Sequence, residues 1–414
     1  MAATLRNPAK KLVLAGVLLL SCVHLALSAR NFLAVRLGES ENPSRLQLAA
    51  RLAPGNAELQ YRLGKYAVFV GSDPAGAIRY YQSAVELNPY NARYWLDLAS
   101  AQQVMEDTTG QQRSLENAIR ANPNNPDVAW EAGNFFLVQG NLERAFSLMR
   151  VVVENQTNMA PLALRLCWRA TPDVDTILSK VVPDSPEPHL AFLDLLIQQK
   201  DVGAAEKVWQ KLVSLHKPFE NRRLFDYVKF LISEHQVEQA RSAWQQGAAL
   251  LELNSYLPST NLMVNGQFSQ DVLNGAFDWN YQVQRGVALS LDPVQFHSPQ
   301  RSLSITFDGV GISDAGVYQL VAVEPNTQYE FNAYYKADSM QGAGGPVVAV
   351  RDFYSSQSYF ISEEMKETDV WKPVSNIFTT GPETKLLVVR IERVPPGNII
   401  RGRLWLDDFE LTQK

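Results

Sequence analysis

Three prolines, Pro54, Pro89 and Pro123, recur at intervals of 35 and 34 residues, each inside a similar phrase: RLAPGNAEL, ELNPYNARY and RANPNNPDV. A period of this length constrains the fold more than any other feature of the chain, because it implies a helical hairpin as the repeating unit. Proline lacks a backbone N–H and cannot continue a helix, so each one stops the second helix of a unit at a fixed point. Between the prolines, apolar and small residues recur at helical spacing. Leu63 and Gly64 are followed by Ala77, Tyr81 and Ala84; Trp95, Leu98 and Ala99 by Leu115 and Ala118; Gly133 and Phe136 by Ala145, Met149 and Val152. Small residues (Gly64, Ala99, Gly133) let the first helix approach the second, while Tyr81, Leu115 and Met149 fill the space between units. One hairpin cannot bury its apolar faces alone, so the units must stack.

These phrases and spacings resemble the tetratricopeptide repeat. The resemblance is strongest over residues 56–153. Residues 158–182 read as a shortened unit interrupted by Pro172, Pro183, Pro186 and Pro188, and Ala205-x3-Trp209-x2-Leu212 then recurs as Ala240-x3-Trp244-x2-Gly247. Leu46, Ala49 and Pro54 look like the second helix of a half unit. The span 43–253 thus holds about five or six hairpins. The resemblance implies a groove that binds a peptide or partner protein, with Arg62, Lys65, Arg93 and Asn134 as candidate lining residues. Trp95, Trp209 and Trp244 read as packing, whereas Trp130, beside Ala129, lies off the usual interior position.

Ahead of the repeats, Leu12–Ala29 reads LVLAGVLLLSCVHLALSA, without an acidic, lysine or arginine side chain. At 1.5 Å per residue, about 20 apolar residues span a bilayer core. The span 12–33 is therefore expected to be a transmembrane anchor. Arg6, Lys10 and Lys11 make residues 1–11 a basic flank, and the positive-inside rule places that flank in the cytoplasm. Two export readings stay open beside the anchor. Ala26-Leu27-Ser28 fits a signal-peptide cleavage site, and Leu19-Leu20-Ser21-Cys22 a lipobox. A buried core helix is the remaining alternative.

Helical periodicity stops near Asn254. A proline-bearing linker, 254–260, leads to alternating segments such as RSLSITFDG, TQYEFNAYYKA, KLLVVRIER and RLWLDDFEL, separated by turns such as QGAGG and VPPGN. Many short alternating runs predict an antiparallel sandwich or jelly roll over 261–414. The order of Asn261-Leu-Met-Val-Asn265-Gly266, Phe277-Asp278-Trp279, Val317-Tyr318-Gln319-Leu320 and Leu404-Trp405-Leu406-Asp407-Asp408 resembles the galactose-binding-like jelly roll of carbohydrate-binding modules. That resemblance implies a glycan ligand and a structural calcium joining the first strand to the last, for which Asp408 and Asn265 are the candidate ligands. Trp279 reads as core. Tyr354, Tyr359, Phe360 and Trp371 are the candidate glycan-stacking aromatics.

The expected architecture is α then β: one transmembrane helix, a tetratricopeptide-like α-solenoid, and an antiparallel jelly roll. A net charge of -5 argues against nucleic acid, which needs a basic face to neutralise phosphates. The two cysteines and five histidines make no zinc spacing. No phosphate loop, nucleophile elbow or HExxH occurs. Glu363-Glu364 and Asp407-Asp408 are adjacent pairs whose members face opposite sides of a strand. The chain reads as a non-enzymatic scaffold needing no cofactor beyond that calcium. It is expected to be a single-pass protein of the bacterial inner membrane with its bulk in the periplasm. Its expected partners are envelope proteins or peptides, with glycan binding as the alternative function and a carbohydrate-active enzyme behind that. Association with polysaccharide synthesis or export completes the expectation.

Overall fold

The computed structural model describes residues 8–40, 42–366 and 368–414. The expected α-then-β order holds. The chain forms two compact units, residues 1–183 and 184–414.

In the first unit, α1 (Pro8–Gly38) is followed by α2 (Pro43–Leu52), α3 (Ala57–Phe69), α4 (Pro74–Leu87), α5 (Ala92–Val104), α6 (Thr108–Ala121), α7 (Pro126–Val138), α8 (Leu142–Asn155), α9 (Ala160–Ala170) and α10 (Val174–Lys180). The repeat is written into the caps. Asn56, Asn91 and Asn125 cap α3, α5 and α7, each accepting from a backbone N–H of the first turn. Asp73, Asp107 and Asn141 do the same for α4, α6 and α8. Such a cap stabilises a helix by about 1 kcal/mol and fixes where it starts. The small residues act as expected: a Cβ on Gly64 would lie 2.5 Å from the Tyr81 ring, and one on Gly133 would lie 3.0 Å from Met149 Cε.

Helix α1 carries no charged side chain over Leu12–Ala29; within Lys10–Gly38 its best window has a mean hydropathy of 2.3, and no residue of that window is buried. Among the described residues, its last turns pack on the rest of the unit. Ala34 and Leu37 pack with Leu46, Ala49, Leu59 and Leu63, and the Arg62 guanidinium donates to the Gly38 carbonyl.

The second unit opens with two hairpins, α11 (Pro186–Gln199) with α12 (Val202–Ser214) and α13 (Asn221–Ser233) with α14 (Val237–Leu250). Trp209 and Trp244 are buried in them, as expected. Ten strands follow: β1 (Trp279–Tyr281), β2 (Val287–Asp292), β3 (Ser302–Gly311), β4 (Asp314–Ala322), β5 (Gln328–Gln341), β6 (Gly345–Asp352), β7 (Ser358–Ile361), β8 (Lys372–Thr379), β9 (Leu386–Val394) and β10 (Ile399–Gln413). They make two antiparallel sheets, ordered β1-β4-β9-β6-β7 and β2-β3-β10-β5-β8. Their facing sides bury Phe268, Trp279, Ile305, Phe331, Val389, Leu406 and Phe409.

Helix gives way to strand across 254–260, but the compact unit does not break there. The reason is that the first sheet is apolar on both sides. Leu320, Ala349, Leu386 and Val388 face away from the sandwich core and are nevertheless buried. Helix α13 and the turn into α14 lie over that side: the Tyr354 hydroxyl donates to the Ile232 carbonyl at 2.8 Å, its ring stacks on His235 at 4.1 Å, and Arg241 pairs with Glu324 at 3.6 Å. The expected linker is built in as well. Tyr256 is buried, its carbonyl accepts from the Trp244 indole and its hydroxyl donates to the Asp271 carbonyl.

Candidate functional site

Three tyrosines organise the repeat region. Tyr61 of α3 stacks on Tyr94 of α5 at 4.6 Å and leans on Tyr81 of α4 at 5.8 Å. The Tyr61 hydroxyl donates to Asp97 at 2.7 Å and the Tyr94 hydroxyl to Glu58 at 2.9 Å. Burial, with the adjoining carboxylates, pushes both phenols up to about 12, so they stay protonated donors at any physiological pH. Asp97 also holds Arg93 at 3.3 Å and keeps that guanidinium charged.

Over this ladder opens a cleft of about 560 Å³ between α3, α4 and α5, lined by Lys65, Phe69, Tyr81, Arg93, Asp97 and Val104 among others. Of the groove candidates, Lys65 and Arg93 meet here. Lys65 sits over the Tyr61 ring at 5.8 Å. Arg62 and Asn134 do not join them. Arg62 is spent on the Gly38 carbonyl, and the Asn134 amide donates to Trp130 O in its own helix at 2.9 Å. Sequence reasoning missed the apolar part of the edge. Phe69, Val104 and Val138 are 76%, 70% and 85% exposed and occupy the same position in successive repeats. The signal was available: each lies fifteen residues after one of the three spaced prolines.

In the jelly roll, the four candidate glycan aromatics do not converge. Tyr354 is turned onto His235 and Ile232. Tyr359 stacks on Phe378 at 5.5 Å; its hydroxyl meets Thr384 Oγ1 at 2.6 Å and accepts from the Gly381 N–H at 2.8 Å. Phe360 packs beside Phe331. The run 353–360 is a tight turn leading into β7, with Phe353 and residues 355–358 exposed, and it is held by Asp352, which accepts from the amides of Tyr354 and Ser355. Trp371 stands apart, edge-on to His297, which stacks on Tyr334 at 3.8 Å.

The calcium candidates are engaged by donors of the chain. Asp408 sits at a bulge in β10 with φ 50; one of its oxygens meets His297 Nδ1 at 2.5 Å and the other accepts from the Ser298 hydroxyl. Asp407 is buried and accepts from the amides of His297 and Ser298 at 2.8 and 2.9 Å; burial raises its carboxyl. The Asn265 side chain bonds both backbone groups of Gln270. Neighbouring carbonyls are satisfied too: Asn265 O by the Trp279 indole, Gly266 O by the Phe409 amide, Phe268 O and Ser269 O by Arg301. Calcium needs six to eight free oxygens around one point. Each of these oxygens accepts from an N–H or O–H donor of the chain, and among the described residues no group of three or more His, Cys, Asp or Glu gathers around one point.

Comparison with known proteins agrees with this description. Residues 260–397 match the family described as a carbohydrate binding domain, and residues 111–160 match the tetratricopeptide repeat. The interferon-induced protein with tetratricopeptide repeats 3 of Mus musculus is 29% identical over 114 residues, which cover 28% of each chain. The match therefore spans about a quarter of that relative's length. Among solved structures, a CBM4 module is 15% identical and a family 16 carbohydrate-binding module 21% identical. Each covers 37% of this chain and 99% of its own, with TM-scores of 0.29 and 0.27. The MamA protein is 15% identical over 46% of this chain and 93% of its own, with a TM-score of 0.28. The chain thus carries tetratricopeptide-type repeats followed by a carbohydrate-binding-module-like jelly roll.

Proposed function

We propose that this chain is a membrane-anchored, non-enzymatic scaffold of the bacterial envelope, binding a partner protein or peptide through its repeats. One observation carries the reading: an apolar helix long enough to cross a bilayer, with none of the described residues covering it, packs its last turn on the first repeat. In water, such a surface exposes Leu, Val and Phe side chains, each costing about 1.5–3 kcal/mol. A bilayer removes that cost. The basic flank at residues 1–11 supports an inner-membrane topology with the flank in the cytoplasm and the repeats in the periplasm. Lys65, Arg93 and the Phe69/Val104 edge then offer the partner a cleft lined by both exposed cations and exposed apolar side chains. Both recognised domain types are non-catalytic kinds, which supports a binding role. Work in polysaccharide synthesis or export fits a chain that pairs partner-binding repeats with a sugar-module-like domain.

The test is photocrosslinking in membranes from a photoreactive residue at Val104. A discrete adduct, lost in a Phe69→Glu/Lys65→Glu variant that still fractionates with membranes and melts normally, is expected. Release of the chain by alkaline carbonate, or an adduct indifferent to that double change, overturns the reading.

A second reading, glycan binding, is favoured by the family matched by residues 260–397.

A further inference from the structure

A second cleft, of about 370 Å³, opens within the unit 184–414. One wall is helical, with Phe225, Asp226 and Lys229 of α13. The other is sheet and turn, with Asn280, Tyr318 and Phe353. A volume near this size suits a small ligand and excludes a folded partner.

The groups left over in this cleft define its chemistry. Tyr318 is half-buried, and its hydroxyl has no partner among the described residues. The Asn280 amide nitrogen donates to the Asp278 and Ala276 carbonyls, which fixes the side chain and leaves Oδ1 as a free acceptor. Asp226 is paired with Arg222 at 3.5 Å, so the Lys229 ammonium is the cation without a partner among the described residues of the cleft. Phe353 is 38% exposed and offers an aromatic surface. Aromatic rings, a fixed amide acceptor and a phenol are what a pyranose needs: an apolar ring face to cover and hydroxyls to bond. The unpaired ammonium adds a place for one carboxylate.

We propose that this cleft is a composite saccharide site, with the helical wall reading the charge and the sheet wall the ring, and that it selects oligosaccharides bearing a uronic acid. It rests on the glycan reading of the jelly roll, but it moves the site from Tyr354, Tyr359, Phe360 and Trp371 to a cleft that neither domain makes alone.

The experiment uses the full chain in nanodiscs, titrated with oligogalacturonate, oligomannuronate, maltotetraose and cellotetraose. The readouts are calorimetry and saturation-transfer NMR. Lys229→Met, on an exposed helix face, is expected to weaken uronate binding about tenfold, one ion-paired contact's worth, and to leave weak neutral-sugar binding unchanged. Tyr318→Ala is expected to weaken binding of both classes, and Trp371→Ala neither. Uronate affinity unchanged in Lys229→Met, or binding lost in Trp371→Ala, overturns this site while keeping the glycan reading. If none of the four saccharides binds the folded chain, both fall. Should Tyr318→Ala fail to fold, the Lys229→Met comparison still decides.

Discussion

The hairpins α3–α4 and α13–α14 are built on one plan and used in opposite ways. Each is closed by a glycine against a large side chain. A Cβ on Gly64 would stand 2.5 Å from the Tyr81 ring, and one on Gly247 would stand 2.5 Å from Leu224. The end of the first helix differs. In α3, Val68, Phe69 and Val70 are exposed, whereas in α13, Phe230, Leu231 and Ile232 are buried. The Ile232 carbonyl receives a hydrogen bond from Tyr354 of the jelly roll. The same hairpin is thus an open edge when no sheet faces it and a docking surface when one does. The repeat period reports the hairpin and is silent on which.

The most damaging way to break this contrast is to cut the chain just before residue 254. A fragment 254–414 exposes Leu320, Leu386 and Val388, each costing about 1.5–3 kcal/mol. It is expected to aggregate or melt at least about 10 °C below a 184–414 fragment, which should unfold in one calorimetric transition. Equal melting of the two fragments would make 254–260 an independent domain boundary.

Next in size is Asp278. Burial raises its carboxyl to about 7, and Oδ1 has no partner among the described residues. The folded chain therefore holds this proton from about pH 4 to 7, where the unfolded chain has lost it. Stability contributed by this group falls as pH rises through that window. Asp278→Asn should flatten the decline, stabilising the unit at pH 8 by a few kcal/mol with little change at pH 4, as read by urea melts at both values.

Arg301→Ala removes donors from Phe268 O and Ser269 O and an ion pair with Asp271. A loss of about 2 kcal/mol is expected, whereas EDTA should leave the wild-type melting temperature unmoved. A chelator-induced drop would point to calcium at this corner. Tyr354→Phe sharpens the comparison more gently, costing about 1 kcal/mol through the lost bond to Ile232. Phe69→Glu should sit within about 0.5 kcal/mol of wild type, because its side chain lies on the open edge.

The repeats were legible because their rules are local. Pro54, Pro89 and Pro123, the small residues at Gly64 and Gly133, and the asparagine and aspartate caps act within one or two turns of helix. The ten strands were legible as alternation, and the fold family as the order of a few motifs. The sites were legible only in part, at Lys65 and Arg93, because most of what decides them comes from far along the chain. Tyr354 looked free until Ile232 and His235 covered it, and Arg62 looked available until the end of α1 took it. The composite cleft joins Lys229 to Tyr318 across nearly ninety residues of intervening chain. No periodicity spans that gap.

The way α1 ends has a mechanical consequence. Its 31 residues make a rod of about 46 Å, and its last turns are keyed into the first repeat: a Cβ on Gly38 would fall 2.4 Å from Leu59, and Arg62 clasps the final carbonyl. Among the described residues, these contacts tie the rod's end to the hairpin. Leaning the rod in a bilayer would lean the opening hairpins with it, so the lipid thickness around the apolar stretch would steer the direction in which they point.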